Sequence, residues 1–172
     1  MGRAFAGLGL AVTVVLLGQF HAARGGAGEI TNDEAFVGRA LAQGLFEVKL
    51  SERAAEHATN ADVRKFAQQM VNDHKKTNNR LLAIANRMKL SVVQGFDKDS
   101  KETLARIGRL EGATFDREYM KQQVKSHERA IDMFERRAKA STNDAVKTFI
   151  NDTLPHLREH LKEARAVAEK VK

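Results

Sequence analysis

Proline is almost absent from this chain: Pro155 is the one proline among 172 residues. Because proline removes a backbone donor and breaks helices, its rarity allows long uninterrupted helices. Alanine, lysine, arginine, glutamate and leucine, which all favour helix, dominate the sequence. There is no cysteine, which excludes disulfides, thiolate metal sites, cysteine nucleophiles and a lipid-anchoring cysteine. The sequence therefore predicts an all-α protein.

Residues 1–27 have the zones of a secretory signal peptide. A positive start at Arg3 precedes an apolar stretch over residues 4–20, and small residues follow up to Ala27. This order is typical of an export signal. We expect cleavage after Ala27, or earlier near Ala23, and a periplasmic or secreted protein. The alternative is a retained anchor, although about 17 apolar residues fall short of the roughly 20 that a spanning helix needs.

The rest of the chain, residues 28–172, is long enough for one domain with its own core. Its apolar residues recur at alternating steps of three and four, the spacing of a helix-bundle seam. Asn60 and Asn143 follow breaks in this pattern and are good helix caps. We predict long helices over residues 33–58, 61–89, 113–140 and from 144 to near the C-terminus, with a shorter helix over 97–110.

An internal repeat divides this domain into two related helical hairpins. The segment that starts Ala58-Thr59-Asn60 resembles the one that starts Ser141-Thr142-Asn143. The connector over residues 90–112 is long for a bundle loop, and a crossover along the bundle explains its length, as in ferritin-like folds. The predicted fold is an antiparallel four-helix bundle, ferritin-like, with a long crossover containing a short helix between helices two and three.

Five metal-capable side chains interrupt the apolar seams near the middle of the helices: Glu47, His74, His127, His156 and His160. Counted from the hairpin turns, Glu47, His74, His127 and His156 lie at similar heights, within roughly 5 Å at 1.5 Å per residue, and His160 is matched less well. Imidazoles and a carboxylate in one layer suit zinc, iron, copper or nickel. Alternatively, the same groups hydrogen-bond to each other and to buried water. Asp73 either orients a neighbouring ligand or faces solvent.

The segment from His156 to His160 also matches the His-x-x-Glu-His pattern of one metalloprotease class. Histidine and glutamate are common in charged helices, and nothing else in the sequence provides a substrate cleft. We therefore predict neither proteolysis nor catalytic residues.

Several motifs together resemble one known family. They are Phe36-Val37, Glu47-Val48-Lys49-Leu50, Phe66 with the segment from Met70 to His74, Ser126-His127-Glu128, Phe134, and the segment from Thr153 to Leu161. Over nearly all of residues 33–168 the chain resembles the ferritin-like "domain of unknown function 4142" proteins, which are exported bacterial four-helix bundles. The resemblance implies this fold and export, and it favours His160 over His156 as a ligand. It implies no activity, because the family is named for lacking one.

The chain departs from true ferritins in its carboxylates. A di-iron bundle uses a Glu-x-x-His pair on each of two helices and a glutamate on each of the others. Residues 61–89 contain no glutamate, and Thr153 and Leu157 stand three positions before His156 and His160. A histidine-rich mononuclear site therefore fits better than a ferroxidase centre.

We expect an exported binding protein that holds one transition-metal ion in the bundle centre. The alternative is a structural or interaction module of the envelope without metal, because the net charge of +7 favours anionic envelope components. Acidic and basic residues are interspersed along the helices, as on solvated helix faces, and predict no specific nucleic-acid partner. A redox enzyme is the third possibility. The sequence does not predict the oligomeric state.

Overall fold

The computed structural model describes residues 32–92 and 95–172, so the predicted signal peptide lies outside the described residues. Within them the chain forms helices and no strand. The helices are α1 (Asp33–His57), α2 (Ala61–Arg87), α3 (Lys98–Gly108), α4 (Gly112–Ala140) and α5 (Asp144–Lys170). The predicted four-helix bundle with a short helix in its crossover is confirmed, and the predicted helix ends differ by at most two residues.

Hydrogen bonds between helix ends fix the topology. At one end of the bundle the Asn60 backbone N–H, in the first hairpin turn, donates to the Asp116 carboxylate near the start of α4 (2.7 Å). At the other end Arg137, near the end of α4, donates to Asp33 at the start of α1 (2.7 Å). Helix α4 therefore runs antiparallel to α1 and parallel to α2. The crossover consequently has to return along the whole length of the bundle.

The two hairpin turns share one geometry, as the internal repeat predicts. The side-chain oxygen of Asn60 accepts from two backbone N–H groups of α2, and that of Asn143 accepts from two of α5. The residues that directly follow the preceding helices, Ala58 and Ser141, are both extended, with ψ of 139° and 137°. Both halves of the chain therefore reverse direction by the same asparagine cap.

Positive backbone φ angles mark the two ends of the crossover. Lys89 (φ 55°) closes α2 with the paired hydrogen bonds of a Schellman motif. Gly112 (φ 58°) begins α4 in a conformation that suits glycine. Between them Ile107 of α3 is fully buried, so the short helix is anchored to the core.

The apolar core consists of two clusters separated by a polar layer. One cluster includes Phe36, Phe134 and Phe149 and lies near the start of α1. The other includes Phe66 and Tyr119 and lies near the first hairpin turn. Between them the buried side chains are polar: Glu47, His74, Gln123, Ser126, His127 and His160. The layer at mid-height, expected from the sequence, is therefore present.

Among the described helices, none combines the length and the hydropathy that crossing a bilayer requires.

Candidate metal centre

Three histidines from three helices meet in the polar layer. His74 of α2, His127 of α4 and His160 of α5 are 8%, 1% and 5% exposed. Their ring centroids form a nearly equilateral triangle with sides of 5.5, 5.6 and 5.8 Å. Each histidine follows the apolar seam of its helix at a step of three or four residues, which is why the helices turn all three rings inward.

Hydrogen bonds to two of the rings fix which nitrogen carries a proton. His127 Nδ1 lies 2.9 Å from the backbone carbonyl oxygen of Gln123, which can only accept, so the proton is on Nδ1. His160 Nε2 lies 3.2 Å from a carboxylate oxygen of Asp73 and likewise donates. In the neutral rings the lone pairs therefore lie on His127 Nε2 and His160 Nδ1. The sequence favours a solvent-facing Asp73; in the structure its side chain is 38% exposed and also accepts from His160.

These two nitrogens are buried and have no hydrogen-bond partner among the described residues. His74 Nε2 is also buried and without a partner among them. Each ring offers one nitrogen that lies within 4.8 Å of those of the other two. Even if His74 donates a proton from Nε2, it satisfies only one of the other rings. A buried acceptor without a partner is costly, so the centre of the triad is suited to a cation.

Burial keeps the three imidazoles neutral at physiological pH. Desolvation, reinforced by the neighbouring His127 and His160, holds the pKa of His74 well below its usual 6.5. Desolvation also lowers the pKa of His127 to about 4, against the hydrogen bond to Gln123. The pKa of His160 is lowered by desolvation, although Asp73 opposes the shift. Neutral imidazole is the form that binds metal ions, so no proton has to leave these rings before metal binds.

Glu47, one of the five predicted ligands, lies in the polar layer but not in the triad. Its Oε2 accepts a 2.6 Å hydrogen bond from the side-chain amide of Gln123, and the compact group of ligand atoms among the described residues contains the three histidines alone. Burial raises the pKa of Glu47 to about 7, against hydrogen bonds to Ser126 and Gln123. The position of Glu47 along its helix places it in the polar layer, as expected. Position along a helix, however, does not give the direction in which the side chain points.

His156, another predicted ligand, is exposed and stands apart from the triad. Of the two histidines of α5, His156 matches the level of the other predicted ligands along the bundle axis better. However, α5 is rotated so that Thr153, Leu157 and His160 face the interior. Glu159 is exposed as well, so the His-x-x-Glu-His pattern does not converge on one point. The structure thus brings together His74, His127 and His160 and leaves Glu47 and His156 outside.

Gln123 is a site residue that the sequence analysis missed. It is fully buried, its carbonyl oxygen orients His127, and its amide contacts Glu47. The available signal was its place four residues before His127, on the same helix face. A glutamine at a seam position of a bundle is a polar group that needs partners, and the layer of histidines could have been predicted to supply them.

Residues 19–167 match the family described as "Domain of unknown function (DUF4142)". No curated protein matches the chain.

Solved structures share the fold at low sequence identity. A structure described as "Crystal structure of DUF305 fragment from Deinococcus radiodurans" aligns with a TM-score of 0.72 and 14% identity, over 80% of this chain and 95% of that one. "CopM in the Cu(II)-bound form" aligns with a TM-score of 0.71 and 15% identity, over 82% of this chain and 98% of that one. "CopM in the Ag-bound form (by co-crystallization)" aligns with a TM-score of 0.66 and 16% identity, over 81% of this chain and 96% of that one. At such identities these likenesses concern the fold.

Proposed function

This chain belongs to the DUF4142 family, and we propose that it is an exported four-helix-bundle protein that binds one transition-metal ion through His74, His127 and His160. One observation carries the proposal: three buried histidines each offer a ring nitrogen within 4.8 Å of those of the other two, and each ring has a buried nitrogen without a partner among the described residues. The Gln123 carbonyl orients the ring of His127, and the Asp73 carboxylate orients that of His160. A histidine that donates its other N–H to a carbonyl or carboxylate is the usual arrangement in metal sites.

The donor set favours copper or zinc. Imidazole nitrogen suits both ions, and copper(II) binds nitrogen sites more tightly than the other divalent ions of the first row. Zinc with nitrogen ligands at about 2.0–2.1 Å would place the nitrogens about 3.4 Å apart, so nitrogens up to 4.8 Å apart in the structure would approach each other by up to about 1.4 Å when the ion binds. The likeness of the fold to CopM, described in copper(II)- and silver-bound forms, supports copper as the first ion to test.

Metal should stabilise the folded protein. An ion that binds only the native state adds about 2.7 kcal/mol of stability at a hundred times its Kd, which raises the melting temperature. We expect copper(II) or zinc to shift the melting curve of the chelator-treated protein, and His74→Ala to abolish the shift. His57→Ala is the matched control, because His57 is exposed at the end of α1.

A melting curve that does not respond to metal would contradict the proposed site. If no metal moves the melting curve of the unmutated protein, the histidines form a hydrogen-bonded cluster with buried water. The envelope module without metal would then be the better description. If the His57→Ala variant loses the shift as well, the binding is not at the triad.

Export is the second part of the proposal, with residues 28–172 as the mature domain. The charged start, apolar stretch and small residues before Ala27 support it. Mass spectrometry of the protein from its native host should find a new N-terminus near Gly28. Intact Met1 on a cytoplasmic species would contradict this part and leave the metal site untouched.

A further inference from the structure

We infer that metal ions reach the triad through a cavity lined by residues of α1, α2, α4 and α5, and that the exposed His156 of its lining is a transfer ligand. A transfer ligand holds the ion during passage and not in the final site. The inference rests on the proposed function and gives a role to a histidine that stands outside the triad.

The cavity joins the protein surface to the site. Its volume is about 40 Å³, and its lining includes the buried His74 and His160 together with the exposed His156. One water molecule needs roughly 10–15 Å³ measured in the same way, so a partly hydrated ion fits. His156 lies one helical turn before His160 on α5, so an ion held by its imidazole is already close to the site.

The other side of the triad is closed by direct side-chain contacts. Between α1 and α4 the Glu47 carboxylate is bonded to Gln123 at 2.6 Å, and the Ser51 and Tyr119 hydroxyls are bonded at 2.9 Å. Tyr119, Gln123 and Ser51 are each fully buried. Passage past these residues would require their hydrogen bonds to break, so the cavity that His74, His156 and His160 line is the open approach.

The walls of the cavity explain why an exposed ligand in its lining is useful. The lining combines apolar side chains such as Leu81, Phe134 and Phe149 with neutral polar ones such as Asn78 and Thr153, and the apolar parts offer nothing in exchange for the water molecules that a cation must lose. His156 replaces one of those waters with a nitrogen ligand before the ion enters. Among the described residues it is the exposed histidine of the lining, and the step is a ligand exchange without change of oxidation state.

Stopped-flow measurements of copper(II) binding test this role. A group used only along the path lowers the barrier equally in both directions and leaves the end states unchanged. We therefore expect His156→Ala to slow association and dissociation by the same factor, about tenfold, with an unchanged Kd. His57→Ala, which removes an exposed histidine far from the cavity, should change neither rate.

Four other results would overturn the inference. Unchanged rates in His156→Ala would show that the ion does not use this histidine. A raised Kd with an unchanged association rate would make His156 a permanent ligand. If His74→Ala abolishes copper binding while His156→Ala behaves like the unmutated protein, the transfer role fails and the proposed function stands. Absence of copper binding by the unmutated protein would overturn both.

Discussion

Acidification from pH 6.5 to pH 4 is expected to destabilise the metal-free protein by several kcal/mol through its buried histidines. In this range the unfolded chain takes up more protons at its histidines than the folded triad does, because the pKa values of the triad are lowered. For His127 the fall from 6.5 to about 4 corresponds to about 3 kcal/mol at 1.36 kcal/mol per unit. His74 and His160 act in the same direction. Their contribution is present above pH 6.5 and is lost as pH falls through the folded pKa values.

Glu47 acts in the opposite direction. Its pKa is raised from 4.5 to about 7, so between these values the folded protein keeps a proton that the unfolded chain releases. This contribution to stability is present below pH 4.5 and is lost as pH rises through about 7. The size of this shift, from 4.5 to about 7, is close to that of His127, from 6.5 to about 4, so Glu47 offsets roughly the contribution of His127 and leaves those of His74 and His160. The net loss on acidification therefore remains, and it should become about 3 kcal/mol larger in Glu47→Gln, which has no carboxyl to titrate.

Urea unfolding of chelator-treated protein at pH 7, 5.5 and 4.5 measures this effect, with and without the Glu47→Gln substitution. His57→Ala is again the control, because it leaves the buried triad intact. A free energy of unfolding that is flat across this range in the Glu47→Gln variant would contradict the burial of neutral histidines.

Phe149→Ala should cost about 3–5 kcal/mol of folding stability as a core truncation. The ring is 1% exposed, lies 6.0 Å from the ring of Phe134 between centroids, and belongs to the cluster above the histidine layer. Phe66→Ala should give a similar loss in the other cluster, where Phe66 is 3% exposed. Denaturant unfolding at pH 7 measures both losses.

Phe96→Ala provides the matched control for these truncations. Phe96 lies in the crossover and is only partly buried against the second cluster, so a smaller loss is expected. Losses below about 1 kcal/mol at both Phe66 and Phe149 would mean that the apolar seams do not form the core described above.

Much of the fold was predictable because it depends on local patterns. Asparagine caps such as Asn60 and Asn143, and the three- and four-residue steps of apolar residues, report helix ends and buried faces directly. The length of the connector was enough to predict a crossover, since a short loop would have joined neighbouring helix ends. The conformation of Lys89, by contrast, could not be predicted, because a positive φ at that point usually requires glycine or asparagine.

The sequence by itself determined the helices, the two hairpins and the height of a polar layer, because each follows from spacing along one chain. Only the tertiary structure decided which side chains of the polar layer converge on one point. His156 and His160 both continue a seam pattern, but the rotation of α5 against α2 and α4 buries one and exposes the other. Glu47 lies at the level of the triad along the bundle axis, but its carboxylate contacts Gln123 and not the histidines. Spacing gives position along a helix, whereas the direction of a side chain depends on the packing of its neighbours.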